Sequence, residues 1–82
     1  GRYYRITLSN FPADKTFTVD CYANGEKFIT SVQDKNGNPY RTNGSGGWSG
    51  QTGCYDGYAS NHWVVITIDG VTAKSNEVYW GA

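Results

Sequence analysis

Two cysteines, Cys21 and Cys54, place the tightest constraint on what this chain can fold into. Both follow a β-type stretch, and each precedes a tyrosine: Cys21-Tyr22 and Cys54-Tyr55. An 82-residue chain can bury only a small core. A bond between the two cysteines would tie an early strand to a later one and join two layers of sheet. Closing a loop of this length stabilises a fold by roughly 3–4 kcal/mol, a large share of what a small domain has. An even cysteine count fits an oxidising compartment, secreted or at an extracellular surface. The alternative is two buried free thiols in a reducing compartment.

The segments around the cysteines read as strands. Tyr4, Ile6 and Leu8 alternate with Tyr3, Arg5 and Thr7, the period of a half-buried strand. From Thr16 to Ala23, Phe17, Val19 and Cys21 share the inward face. Asn24-Gly25 is a hairpin signal, because both central residues of the favoured turn need positive φ, and 26–33 is the partner strand. Residues 39–42 suit a short edge strand, where proline is tolerated. A polar strand starts near Trp48 and reaches Cys54. The strongest strand signal is His62 to Ile68, where Val64, Val65, Ile66 and Ile68 combine β-branching with hydrophobicity. Asp69-Gly70 is a second hairpin turn, and Val78 and Trp80 close the chain in phase with each other. No window carries sustained helical periodicity. The expectation is an all-β domain over residues 1–82, a small sandwich of about seven antiparallel strands with one disulfide.

Charge narrows the partners. Seven basic and seven acidic side chains give a formal net charge of zero. There is no basic run to form a patch for nucleic acid, and no apolar stretch approaches the length needed for membrane insertion. No cofactor motif is present. The glycines of residues 43–50 lack the Gly-Lys-Ser/Thr and following helix of a phosphate loop. Asp34-Lys35-Asn36-Gly37-Asn38 opens like a calcium loop, but Pro39 and Ser45 stand where an EF-hand needs glycine and glutamate. A tight turn with Gly37 in the left-handed region is expected instead. Catalysis lacks a constellation: His62 is the one histidine, no Gly-x-Ser-x-Gly elbow accompanies Ser60, and His62 has no partners at zinc-ligand spacing.

Three pieces, taken in order, resemble a known type of domain. They are Leu8-Ser9-Asn10-Phe11-Pro12-Ala13 leading to Val19-Asp20-Cys21-Tyr22, then Gly53-Cys54-Tyr55, then Asp69-Gly70-Val71 with Ser75-Asn76-Glu77-Val78-Tyr79-Trp80. This order resembles small immunoglobulin-like accessory domains of secreted or surface-attached bacterial proteins, actinobacterial ones in particular. The resemblance implies a monomeric domain of a larger protein, such as a hydrolase, sensor kinase or surface protein. The chain departs from antibody-type domains: its cysteines are closer together, no tryptophan soon follows Cys21, and Thr52 occupies the tyrosine-corner position. Immunoglobulin-like is here an architectural term, and architecture does not imply function.

The aromatic residues, 7 Tyr, 3 Trp and 3 Phe, are the remaining functional signal. Strand phase sends Trp48 inward onto the disulfide and Trp80 into the core. Trp63 and Tyr55 fall out of phase with their inward neighbours, and Tyr58 sits in the following loop. Flat rings stack on the C–H faces of pyranose sugars, while Asp56, Asn61 and Gln51 are near enough in sequence to take hydroxyl groups. The plain alternative is that outward aromatics pair across strands. The leading expectation is a non-catalytic extracellular module that binds a polysaccharide or surface glycan through Tyr55, Tyr58 and Trp63. A protein partner for adhesion or assembly, or a ligand-free spacer role, is the alternative.

Overall fold

A computed structural model of the chain describes residues 1–81. Eight strands follow one another: β1 (Arg2–Leu8), β2 (Thr16–Ala23), β3 (Glu26–Val32), β4 (Tyr40–Arg41), β5 (Trp48–Asp56), β6 (Ser60–Ile68), β7 (Val71–Lys74) and β8 (Val78–Trp80). All pairings are antiparallel. β1 and β5 form a small sheet. The large sheet runs β3-β2-β6-β7, with β4 also on β2 and β8 also on β6. His62 pairs with Ala23 on one side and Val78 on the other, so β7 and β8 share the edge of β6 that faces away from β2.

Local chemistry accounts for the connections. Asn24-Gly25 has φ of 52° and 81°, and Asp69-Gly70 has 51° and 75°. Two successive positive values define the primed hairpin turn whose twist matches the strands it joins. The turns at Asp34 and Asn43 are built alike. Asp34 Oδ1 accepts from Asn36 N and Asn38 N, and Asn43 Oδ1 accepts from Ser45 N and Gly47 N. In both, the residue three further on is a glycine at positive φ, Gly37 or Gly46. A Cβ on Gly46 would collide with the Phe11 carbonyl, so this second turn tolerates no side chain there.

Alternation then builds the core. Phe17, Val19 and Cys21 of β2 and Val64, Ile66 and Ile68 of β6 point inward and are buried, opposed by Tyr4, Leu8 and Cys54 from the small sheet. Each such large apolar side chain contributes about 1.5–3 kcal/mol by leaving water. The Cys21–Cys54 disulfide crosses the layers with Cα atoms 6.5 Å apart, setting β5 over β2. Tyr4 sets β1 over β6 and β8, its ring meeting His62 at 5.5 Å and Trp80 at 5.1 Å. Trp48 is half-buried, and the rings it meets are Phe17 and Tyr40.

Hydrogen bonds close what the strands leave open. The β1–β5 register shifts between Tyr3 and Arg5. There the buried Thr52 hydroxyl donates to the Tyr4 carbonyl and accepts from Cys54 N, which gives these two backbone groups partners at the bulge. The Tyr4 hydroxyl reaches across the layers to the Tyr22 carbonyl at 2.7 Å. Burial, reinforced by the Asp56 carboxylate, raises the Tyr4 phenol above its ordinary range, which keeps it a donor. Among the described residues no buried side-chain polar atom lacks a partner.

Candidate functional site

The six residues expected to form one contact surface fall in three different places. Tyr55 is half exposed on the outer face of the small sheet, directly opposite Tyr3. The two rings meet edge to face at 5.1 Å, with 48% of Tyr3 and 50% of Tyr55 open to solvent. Gln51 lies on the same face opposite Arg5, and Ser49 lies opposite Thr7, so the face continues as a polar stripe. Tyr58, in the loop after β5, is the most exposed large hydrophobic side chain among the described residues, at 79%.

Trp63 points away from the core, as its phase requires, but from the other sheet. Its ring lies on Tyr22, directly opposite on β2, at 5.3 Å and 9°. Lys74 Nζ sits 4.5 Å from the ring centroid and is held by Glu77 at 2.8 Å. An aromatic neighbour and a cation thus already occupy this indole. Asn61 is exposed on that same outer face, opposite Tyr79. The inter-sheet disulfide lies between Cys21 and Cys54, one residue from Tyr22 and from Tyr55. Tyr22 with Trp63 and Tyr55 therefore look out from opposite sides of the sandwich.

Asp56 goes to the third place, the interior. It is in phase with Cys54, and its Oδ2 lies 2.6 Å from Nε2 of His62. That histidine is 1% exposed and stacked on Trp80 at 3.3 Å and 3°. It is a core residue rather than the strand-end residue its sequence position suggests. Ser60 Oγ is 3.2 Å from the same Nε2, while Nδ1 faces the Val78 carbonyl at 3.3 Å. Ser, His and Asp are thus adjacent, but not as a nucleophilic triad. A triad places the hydroxyl and the carboxylate on opposite ring nitrogens, and here both meet Nε2. The two ring nitrogens face oxygen atoms on opposite sides, the Asp56 carboxylate at Nε2 and the Val78 carbonyl at Nδ1. Trp80 Nε1 donates to the Asp56 carbonyl at 3.3 Å and completes the cluster.

A shallow groove of about 820 Å³ runs beside the small sheet, lined by Tyr3, Trp48 and Gln51 and, across from them, by Asp34, Lys35 and Arg41. It extends the Tyr3–Tyr55 face toward the Asp34 turn. Because Asp34 Oδ1 holds two backbone amides at 2.9 Å, Asp34→Ala is expected to destabilise the domain by about 1–2 kcal/mol. The loss should be the same with calcium and with chelator in thermal melts. A calcium-dependent rise in melting temperature that disappears in Asp34→Ala would mean that the loop is a metal site.

Sequence reasoning placed Tyr3 on an outward face but did not join it to the site, because its neighbour is 52 positions away in β5 and only the register brings them together. Compared with protein-family models, with curated proteins and with solved structures, the chain matches none.

Proposed function

We propose that this domain is a non-catalytic binding module of a secreted or surface protein, and that it holds a neutral polysaccharide on the outer face of its small sheet. The observation that carries this reading is the Tyr3–Tyr55 pair, two half-exposed rings in register on a face that no other layer covers. Tyr58 is exposed in the loop that follows β5, Gln51 and Arg5 supply hydrogen-bond donors, and the adjoining groove offers room for neighbouring sugar units. Zero net charge leaves stacking and hydrogen bonding as the attractive terms. The cross-layer disulfide is compatible with an extracellular setting. The buried His62 cluster supports a non-catalytic role, since its imidazole is sealed from solvent.

Each exposed ring is worth about 1 kcal/mol in such contacts, so one site binds at high micromolar to millimolar affinity and retention depends on repetition. The test is retention on insoluble polysaccharides, followed by a glycan array. Tyr55→Ala and Tyr3→Ala should each weaken binding roughly fivefold with melting temperatures near wild type. Trp63→Ala should leave binding unchanged while lowering stability by about 1–2 kcal/mol, from the lost Tyr22 stack and Lys74 contact. Wild-type retention by the Tyr3→Ala/Tyr55→Ala double variant would sink this reading. Loss of retention on Trp63→Ala alone would move the site to the opposite face.

A further inference from the structure

The two layers differ in width, and the difference leaves a gap. The small sheet has two strands, while the large sheet spans β3-β2-β6-β7 with β8 also on β6. β5 and β1 cover β2, β6 and the Trp80 end of β8, and among the described residues no strand covers β7 or the Val78 end of β8. Val71 and Ala73 pair with the inward residues Ile68 and Ile66, and Val78 pairs with the inward His62. All three belong to the core phase, yet Val71 is 67% exposed, Val78 is 47% exposed and Ala73 is only half-buried. Ile6 and Phe11 are likewise only partly covered.

Between β1 and Phe11, Ala73 and Val78 lies a groove of about 540 Å³. All seven residues of β1, Arg2 to Leu8, line it. β1 is hydrogen-bonded to β5 on one side and has no strand on the other among the described residues. The far edge of β5 differs, because there the Tyr40 hydroxyl takes Gly53 N and Val32 and Gln33 close over Gly53. The open edge of the small sheet is therefore β1, and it lies directly beside the uncovered apolar residues.

We propose that this groove binds an extended peptide of a protein partner, which adds to β1 as a third strand of the small sheet. Its inward side chains are apolar and cover Ala73, Val78 and Ile6, and its outward side chains are acidic. Charge complementarity selects that chemistry. Arg2, Arg5 and Lys74 line the groove, and no Asp or Glu lines it among the described residues. Lys74 is already paired with Glu77, so Arg2 and Arg5 on the open edge set the sign. The same charges disfavour a second copy of this chain. Self-pairing of β1 about its midpoint sets Arg5 against Arg5, and like charges directly opposite each other destabilise a strand pair. Added strands gain affinity from main-chain bonds and specificity from alternate side chains, which matches an open edge beside an apolar floor.

The test uses the disulfide-bonded domain, labelled with ¹⁵N, and the capped peptide Thr-Val-Glu-Val-Glu-Val-Thr. Saturable shifts and slowed exchange are expected at the amides of residues 2–8, with further shifts at Ala73 and Val78. A peptide with lysine in place of glutamate should bind about tenfold more weakly, and Val78→Asp, at an exposed position, should weaken the acidic peptide about tenfold. Retention on polysaccharide should survive Val78→Asp, which separates this surface from the tyrosine face. Equal binding of the acidic and basic peptides overturns the proposal, as does the absence of saturable shifts at residues 2–8. Concentration-dependent dimerisation through β1 in sedimentation runs also overturns it, by giving the groove to a second copy.

Discussion

Reducing the Cys21–Cys54 bond should lower the stability of this domain by about 3–4 kcal/mol, the loop-entropy value for a bridge spanning 33 positions. For a chain of this size that corresponds to a drop in melting temperature on the order of 20 °C. The bond is completely buried and crosslinks the layers midway along β2 and β5, away from the loops that also join them. The β1–β5 pair contains two strands, too few to be independently stable in water. Without the crosslink it is held to the large sheet by its connecting loops and by side-chain contacts, chiefly Tyr4, Leu8 and the hydroxyls of Tyr4 and Tyr40. Thermal or urea unfolding of oxidised and reduced protein measures the difference. Replacing both cysteines with alanine gives the same comparison without reductant and adds a cavity cost. Two titratable thiols in denatured, unreduced protein, or a melting temperature that reductant leaves alone, would contradict the assignment.

The second large effect is expected at His62. Truncating it to alanine removes a ring stacked on Trp80 and edge-on to Tyr4, and leaves the Asp56 carboxylate, whose side chain is 12% exposed, without its partner. Breaking a buried pair from one side costs about 3–5 kcal/mol, because the remaining charge stays desolvated. Part of the loss is the cavity and part is the stranded carboxylate, and a double-mutant cycle separates them. In an Asp56→Ala background, His62→Ala should cost less by an amount well above 1 kcal/mol. Denaturant midpoints of the four proteins provide the measurement. Additivity of the two substitutions would show that the 2.6 Å contact carries no coupling, and that His62 acts through its packing alone. Either variant should leave polysaccharide retention intact once folding is assured, since neither residue reaches the Tyr3–Tyr55 face.

Everything with a period or turn of its own was legible in the chain. The two-residue alternation of Tyr4, Ile6 and Leu8, of Phe17, Val19 and Cys21, and of Val64, Ile66 and Ile68 declared which side of each strand is apolar. Burial follows that division, because a strand cannot turn one side chain without turning the rest. Asn24-Gly25 and Asp69-Gly70 declared their hairpins, since few residue pairs accept two positive φ values. The cysteines were legible as a pair because both fell on inward positions in a core too small to do without them. Strand phase also sent Tyr55 and Trp63 outward, and there the sequence stopped being informative. Outward from a strand is a direction relative to its own sheet. Which sheet holds β5 and which holds β6 depends on pairings between distant segments, so two rings eight positions apart came to lie on opposite sides. The same long-range register joined Tyr3 to Tyr55 and turned Asp56 from a candidate for sugar hydroxyl groups into the partner of His62. It also left Val71, Ala73 and Val78 in the core phase with no layer above them. Alternation is a local property, carried by successive residues. Which strand covers which is decided by the fit of two sheets of unequal width and by the bond that pins them, and that appears only when the whole chain is folded.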